Sequence, residues 1–148
     1  PSGDNKWDLD AMKETFFLSN MCVQNRGLNQ GPWERLEATC REWAKAFDNL
    51  YIICGPIFKS QEHNIIGKNL HVPDSFFKVI LCMSDEPKAI GFVYENIDPE
   101  KGDKIEGHAM SIDDVERITG YDFFSGLDDN QENKIEANFD LAKWKVLR

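Results

Sequence analysis

The sequence predicts a single α+β domain over residues 1–148, built on an antiparallel β-sheet flanked by helices. Three observations carry that expectation. Two β-rich apolar runs, Phe76–Met83 and Ala89–Glu95, are joined by Ser84-Asp85-Glu86-Pro87-Lys88, a short link with turn-forming residues, which is hairpin chemistry. From Trp33 the apolar residues Leu36, Cys40, Trp43, Ala44, Phe47 and Leu50 recur at helical spacing and form one stripe. Strands and helices do not alternate regularly along the chain, which favours α+β over a parallel α/β sheet.

Residues 1–14 are a polar lead-in containing Trp7, with Ala11-Met12 as one turn of helix. Thr15–Ser19 is expected as the first strand, buried on both faces because Phe16, Phe17 and Leu18 follow one another. An amide-rich loop, Asn20–Gly31, leads to a helix entered at Gly31-Pro32, where the missing proline N–H would be unpaired anyway, and running to about Asn49. Tyr51–Cys54 reads as a second strand ended by Gly55-Pro56, since proline cannot continue a central ladder. Residues 59–70 look like an exposed excursion, and His71-Val72-Pro73 is extended because the residue before proline is pushed to the β region. After the hairpin comes a charged loop, Asn96–Met110. Ser111-Ile112-Asp113-Asp114 begins a helix with the pattern of a capping box, weakened by Asp in place of Glu or Gln, and Gly120 ends it. A last helix is expected near Asp129–Ala137 with Ile135 and Phe139 as anchors, followed by a tail containing Trp144.

The formal net charge of −9 argues against a broad cationic surface for nucleic acid. It leaves room for a small site that handles phosphate through a bound cation and one or two arginines. No stretch approaches the roughly 18 apolar residues of a membrane span, so no membrane is expected as a partner. A chain beginning Pro1-Ser2-Gly3-Asp4, with no Met and no signal pattern, reads as a processed product or a fragment. Cys22, Cys40, Cys54 and Cys82 show no zinc or C-x-x-C spacing and read as free core thiols, with a disulfide as the alternative.

Histidine is the usual general base. His63 and His108 sit in polar loops and read as solvated, and His71 reads as structural; none lies at ligand spacing from a second histidine or a carboxylate. No nucleophile elbow, phosphate-cradling glycine loop or dinucleotide fingerprint occurs. The amides of Asn20, Gln24 and Asn29, with Glu37 and Arg41, form a different kind of set. Glu37 and Arg41 are four residues apart, stacked on one face at the edge of the apolar stripe. Amide oxygens suit Mg²⁺, which needs few protein ligands; a carboxylate can hold its waters, and an arginine can stabilise charge on a phosphorane. Spacing alone leaves open a plainer alternative, a polar turn plus a surface ion pair worth only ~0.3–0.5 kcal/mol.

The pattern Ser19-Asn20-x-x-Val23-Gln24-x-x-x-Leu28-Asn29-x-Gly31-x-Trp33-x-x-Leu36-Glu37-x-x-x-Arg41 resembles the DNA/RNA non-specific endonuclease family, the ββα-metal or His-Me finger nucleases. The likeness continues through Tyr51–Phe58, Val72-Pro73, Phe76–Ile80, Ala89–Phe92, Ser111-Ile112-Asp113, Glu116 and Thr119-Gly120. Val23 stands where the family usually has proline. The resemblance implies a His-Me finger fold, incomplete at its N-terminus, and a Mg²⁺- or Mn²⁺-dependent endonuclease that hydrolyses DNA and RNA to 5′-phosphate ends. It implies Asn29 as the direct metal ligand, Glu37 holding metal-bound water, Arg41 stabilising the transition-state phosphate, and Asn20 and Gln24 as supporting amides. The family's Asp-Arg-Gly-His motif, whose histidine is the general base, does not occur in these residues. The base is therefore expected upstream of Pro1, in a segment that could be a separate paired chain, and this piece alone is expected to cleave poorly. Resemblance to bacterial members implies a secreted or periplasmic location. Two rivals stand beside the enzyme: a non-catalytic nuclease-fold module that binds nucleic acid or protein, and a structural domain in which Glu37–Arg41 is only an ion pair.

Overall fold

The computed structural model describes residues 2–47, 49–59 and 65–145. Among them, helices form at α1 (Leu9–Glu14), α2 (Arg26–Leu28), α3 (Glu34–Ala46), α4 (Ile112–Thr119) and α5 (Asp129–Glu136). Strands form at β1 (Leu50–Ile57), β2 (Ile65–Ile66), β3 (Leu70–His71), β4 (Ser75–Cys82), β5 (Lys88–Glu95) and β6 (Ala109–Met110). β1, β4, β5 and β6 make one antiparallel sheet in the order β1-β4-β5-β6, while β2 and β3 pair separately. The β4–β5 hairpin falls where the alternating apolar runs place it, with Cys82 opposite Lys88.

β4 divides the molecule, because side chains along a strand point alternately to its two faces. Phe76, Ile80 and Cys82 join Ile90, Phe92 and Tyr94 of β5 beneath Leu28, Trp33, Leu36, Cys40 and Trp43. Phe77, Val79 and Leu81 join Ala89, Ile112, Val115, Phe123 and Ile135 on the other face. The helix α3 therefore covers one side of the sheet, and α4 and α5 cover the other. Trp144 closes the first core against Trp43, ring centroids 4.7 Å apart. Phe139, expected as an anchor of the last helix, is instead 36% exposed.

Several expectations are corrected. Thr15–Ser19 is not a strand. Phe16 and Phe17 donate their N–H groups to Lys13 and Glu14 (3.0 and 3.1 Å), and Leu18–Asn20 forms a 3-10 turn. The backbone groups that a ladder would need are satisfied locally, and Leu18 is 88% exposed. A short apolar run does not by itself distinguish a strand from a helical turn. β1 continues through Gly55-Pro56 to Ile57, because no strand pairs with its other side among the described residues and an edge position tolerates a proline. The charged loop contains the short strand β6, registered against Gly91 and Phe92. Of the cysteines, Cys40 and Cys82 are core thiols, whereas Cys22 and Cys54 are exposed. Burial pushes the Cys40 thiol up to about 11.

The helix α4 begins and ends as its sequence dictates. Ser111 Oγ accepts from the Asp114 N–H (3.1 Å) and donates to the Asp114 carboxylate (2.8 Å), so the shorter acid returns to the cap's hydroxyl. Gly120 closes the helix at φ 73°. Against α5, burial and the neighbouring Glu116, Glu132 and Asp113 push the Glu136 carboxyl up to about 8.

Gly91 is what lets α4 approach β5: a Cβ there would collide with Val115 Cγ2 and lie 3.3 Å from the Ser111 carbonyl oxygen. Gly91→Ala is expected to destabilise the chain by about 1–3 kcal/mol through overpacking. Gly107, where an added methyl would meet nothing within 4 Å, serves as the control. Thermal unfolding of the two alanine variants checks this, and an unchanged midpoint for Gly91→Ala would contradict it.

Candidate functional site

The site is built from a capped, interrupted helix. Asn25 begins it: its side-chain oxygen accepts from the N–H groups of Gly27 (2.7 Å) and Leu28 (3.1 Å). Asn96 holds that cap in place, accepting from the Asn25 N–H (2.6 Å) and donating to the carbonyls of Val23 (3.1 Å) and Pro73 (2.8 Å). Helical structure thus starts at Arg26, earlier than the Gly31-Pro32 entry that the sequence suggests. Proline inside a helix removes one i→i−4 hydrogen bond. Here Asn29–Trp33 widens into a π turn kinked at Gly31 (φ −122°, ψ −111°) before α3 resumes. Such single widened turns recur at functional positions.

Trp33 fixes the orientation of this turn. It is buried, with its ring centroid 5.8 Å from Phe76 and 6.0 Å from Tyr94. With Leu28, Pro32 and Trp33 turned inward, Asn29 and Gln30 are left outside. Asn29 lines a cleft with Gln30, Glu34 and Glu37, and its carboxamide makes no hydrogen bond among the described residues. The Glu37 side chain is only 20% exposed, and its Oε2 lies 3.8 Å from Arg41. The stronger partner of Arg41 is Asp4, which accepts from Nε at 2.6 Å and from the guanidinium NH2 at 3.4 Å. That hydrogen bond holds the Asp4 carboxyl below its ordinary value and raises the Arg41 guanidinium.

The structure brings Asn29, Glu37 and Arg41 onto one stretch of helix surface. Asn20 and Gln24 line a separate cavity walled by Trp33, Cys54 and Phe76. Asn20 donates weakly to the Thr15 carbonyl (3.3 Å), and the Gln24 amide nitrogen is buried without a partner. Two residues escape a reading by spacing. Asp4 gives no local signal at all. Lys78 is a lone charge inside the apolar run Phe76–Ile80; it is buried, with Nζ 4.7 Å from the Trp33 ring centroid, and its charge helps to lower the Asp4 carboxyl.

Among the described residues no histidine lines the Asn29 cleft. His108 is not the solvated loop residue expected: it stacks on Tyr94 at 3.9 Å, with Nδ1 3.2 Å from the Val93 carbonyl and Nε2 2.7 Å from Asp103. Both ring nitrogens thus face acceptors. His71 is exposed on β3, and His63 lies outside the described residues. What the cleft does present is a set of hard oxygen donors, the unbonded carboxamide of Asn29 and the carboxylate of Glu37, open to solvent and flanked by an arginine. That donor set fits a hydrated divalent cation, which takes oxygen ligands and retains several waters.

Residues 1–130 match the family model described as DNA/RNA non-specific endonuclease. The chain is 34% identical to the mitochondrial nuclease EXOG of Mus musculus, a match covering 97% of this chain and 43% of that protein. It is 34% identical to nuclease C1 of Cunninghamella echinulata (86% of this chain, 56% of that protein) and 29% identical to the mitochondrial endonuclease G of Homo sapiens (85% and 46%). Among solved structures, a crystal structure of an EndoG/EndoGI complex superposes with a TM-score of 0.79 at 29% identity, covering 88% of this chain and 58% of that one. The chain spans about half the length of the curated relatives it matches.

The Asp4–Arg41 contact has a defined pH signature. The folded Asp4 carboxyl titrates below its unfolded value of 3.8, so its stabilisation is fully present above that value and is lost as pH falls through the folded one. Both side chains are about two-fifths exposed, which limits the pair to roughly 1 kcal/mol or less. Asp4→Asn is therefore expected to melt slightly below the parent chain at about pH 6, with the gap closing as pH drops below 3.8. A gap that is constant with pH would contradict the assignment.

Proposed function

The chain belongs to the DNA/RNA non-specific endonuclease family, and from that premise we propose that it carries the cation-holding part of a site that hydrolyses phosphodiester bonds in DNA and RNA, leaving 5′-phosphate ends. The observation that carries this reading is Asn29, an exposed carboxamide with no hydrogen bond among the described residues, in a cleft it shares with Glu37. Asn29 would hold Mg²⁺, or Mn²⁺ in its place, through the amide oxygen, and Glu37 would accept hydrogen bonds from the ion's water shell. When bound, the cation supplies Lewis-acid relief of the charge that builds on the leaving 3′-oxygen.

The remaining steps fall to the chain's own groups. Arg41 turns a planar cation toward the phosphate, where it stabilises charge in the transition state. Asp4 acts on that guanidinium as a positioning group, since Nε is already committed to it at 2.6 Å. Asn20 and Gln24 would serve as supporting amides from the neighbouring cavity that they line with Trp33. Contacts made to phosphate rather than to base edges carry little sequence information, in keeping with low sequence specificity. Both ring nitrogens of His108 are turned to protein acceptors, the Val93 carbonyl and the Asp103 carboxylate. No Asp-Arg-Gly-His tetrapeptide occurs in the 148 residues. The proposal therefore assigns the general base to a histidine outside them.

The test compares the 148-residue chain with a version extended upstream through an Asp-Arg-Gly-His segment, each with plasmid DNA and with RNA. The shorter chain is expected to cleave poorly, and the extended one to cleave both substrates only when Mg²⁺ or Mn²⁺ is present. In the extended chain, Asn29→Ala is expected to lower the rate by about 10²-fold or more, the scale on which a directly acting electrostatic group operates. Wild-type cleavage by the Asn29→Ala variant would overturn the role given to that residue. An inert extended chain that still binds nucleic acid would favour the non-catalytic binding module instead.

A further inference from the structure

On the face of the sheet opposite α3, α4 and α5 meet around a knot of carboxylates. Asp113 and Glu116 come from α4 and Glu136 from the last turn of α5, and one oxygen of each lies within 4.8 Å of the other two. Asp113 and Glu116 are three residues apart and therefore share a helix face. Glu136 is 5% exposed, and its Oε1 is sealed from solvent with no hydrogen-bond partner. Glu132, one turn earlier on α5, has a second oxygen in the same condition. Glu116 is held in place by the Phe123 N–H, which donates to it at 2.7 Å.

Nothing basic answers these acids. Among the described residues no lysine, arginine or histidine makes an ion pair with any of the four, and Arg117, the nearest in sequence, is taken by Asp114. Glu136 is the buried member, and a buried carboxylate without a partner is costly, the more so with other acids facing it. The side-chain arrangement is one that a cation would stabilise and that water alone does not explain, because the unpaired oxygens are out of its reach.

We propose that Asp113, Glu116 and Glu136 form a divalent-cation site for calcium, separate from the Asn29 cleft, that fastens α5 to α4. Three carboxylate oxygens gathered within 4.8 Å of one another suit Ca²⁺, whose flexible shell of about six to eight oxygens tolerates the loose spacing that the strict octahedron of Mg²⁺ does not. Calcium also accepts irregular, carboxylate-rich shells, with waters completing the solvent-facing side near Asp113. The sheet lies between this site and Asn29, so the ion has no part in the chemistry proposed above; its effect is on the docking of α5.

The experiment uses the 148-residue chain carrying Asn29→Ala, so that the cleft on the other face does not contribute, in chelator-treated buffer at about pH 7.5. Calcium chloride is titrated while bound calcium is counted by equilibrium dialysis and thermal unfolding is recorded. One bound calcium per chain is expected, with a midpoint that climbs by several degrees as calcium approaches saturation. Adding Glu136→Gln is expected to abolish both the binding and the climb, and Asp113→Asn to weaken binding by about tenfold or more. No bound calcium at millimolar concentration would overturn the proposal, as would a Glu136→Gln chain that binds as well as its parent. Should Glu136→Gln fail to fold, undiminished binding by Asp113→Asn, read by dialysis on a folded chain, would overturn it equally. A chain that ignores calcium but is stabilised by Glu136→Gln would mean that the cluster holds a shared proton, and would also overturn it.

Discussion

Pro32 has no backbone N–H, and the shape of the candidate site follows from that absence. A regular helix from Arg26 to Ala46 would require a hydrogen bond that this residue cannot make. The chain resolves the conflict by widening Asn29–Trp33 into a π turn kinked at Gly31. Packing holds the widened turn in place: Leu28, Pro32 and Trp33 go into the core, with Trp33 set against Phe76 and Tyr94. Asn96 secures the start of the segment by bonding Asn25 and the carbonyls of Val23 and Pro73. An amide side chain is thus left at the surface with no hydrogen bond among the described residues, one helical stretch from a sheltered carboxylate.

β4 gives the molecule its second organising feature. Every residue of the strand is buried, so the sheet separates two layers. The layer containing α3 carries Asn29, Glu37, Arg41, Asp4 and the buried Lys78. The layer containing α4 and α5 carries the carboxylate cluster of Asp113, Glu116 and Glu136. An overall charge of −9 is therefore not spread as a uniform solvated coat. Some of it is concentrated at places where the backbone drives acids together, and those are the places where counter-ions matter most.

How far the sequence could be read depended on whether the determining interaction was local. The β4–β5 hairpin and α4 could be read because strand alternation, a serine cap and a terminal glycine are written in neighbouring residues. Thr15–Ser19 could not, since its apolar run is served by turn hydrogen bonds to Lys13 and Glu14 and lies exposed. The early start of the helix was hidden because Asn25 acts as a cap only once Asn96, 71 residues away, orients it. Trp144 and Lys78 likewise take their meaning from distant partners. In the candidate site, helical spacing was enough to associate Glu37 with Arg41, although Arg41 turns mainly to Asp4. The motif grouped Asn20 and Gln24 with Asn29, yet the fold gives them a cavity of their own, because the buried Trp33 stands as its wall. Asp113 and Glu136 are 23 residues apart and meet only through the packing of α4 on α5.

The central claim is that the interrupted helix leaves the Asn29 carboxamide free to grip a divalent ion beside Glu37. Paramagnetic broadening by Mn²⁺ in a nuclear magnetic resonance spectrum of the labelled chain tests it most directly, because the effect falls off steeply with distance from the ion. The account predicts that sub-stoichiometric Mn²⁺ broadens the side-chain amide of Asn29 together with the backbone signals of Gln30, Glu34 and Glu37, whatever occurs on the opposite face of the sheet. Sharp, unshifted signals from those four residues at saturating Mn²⁺ would contradict it.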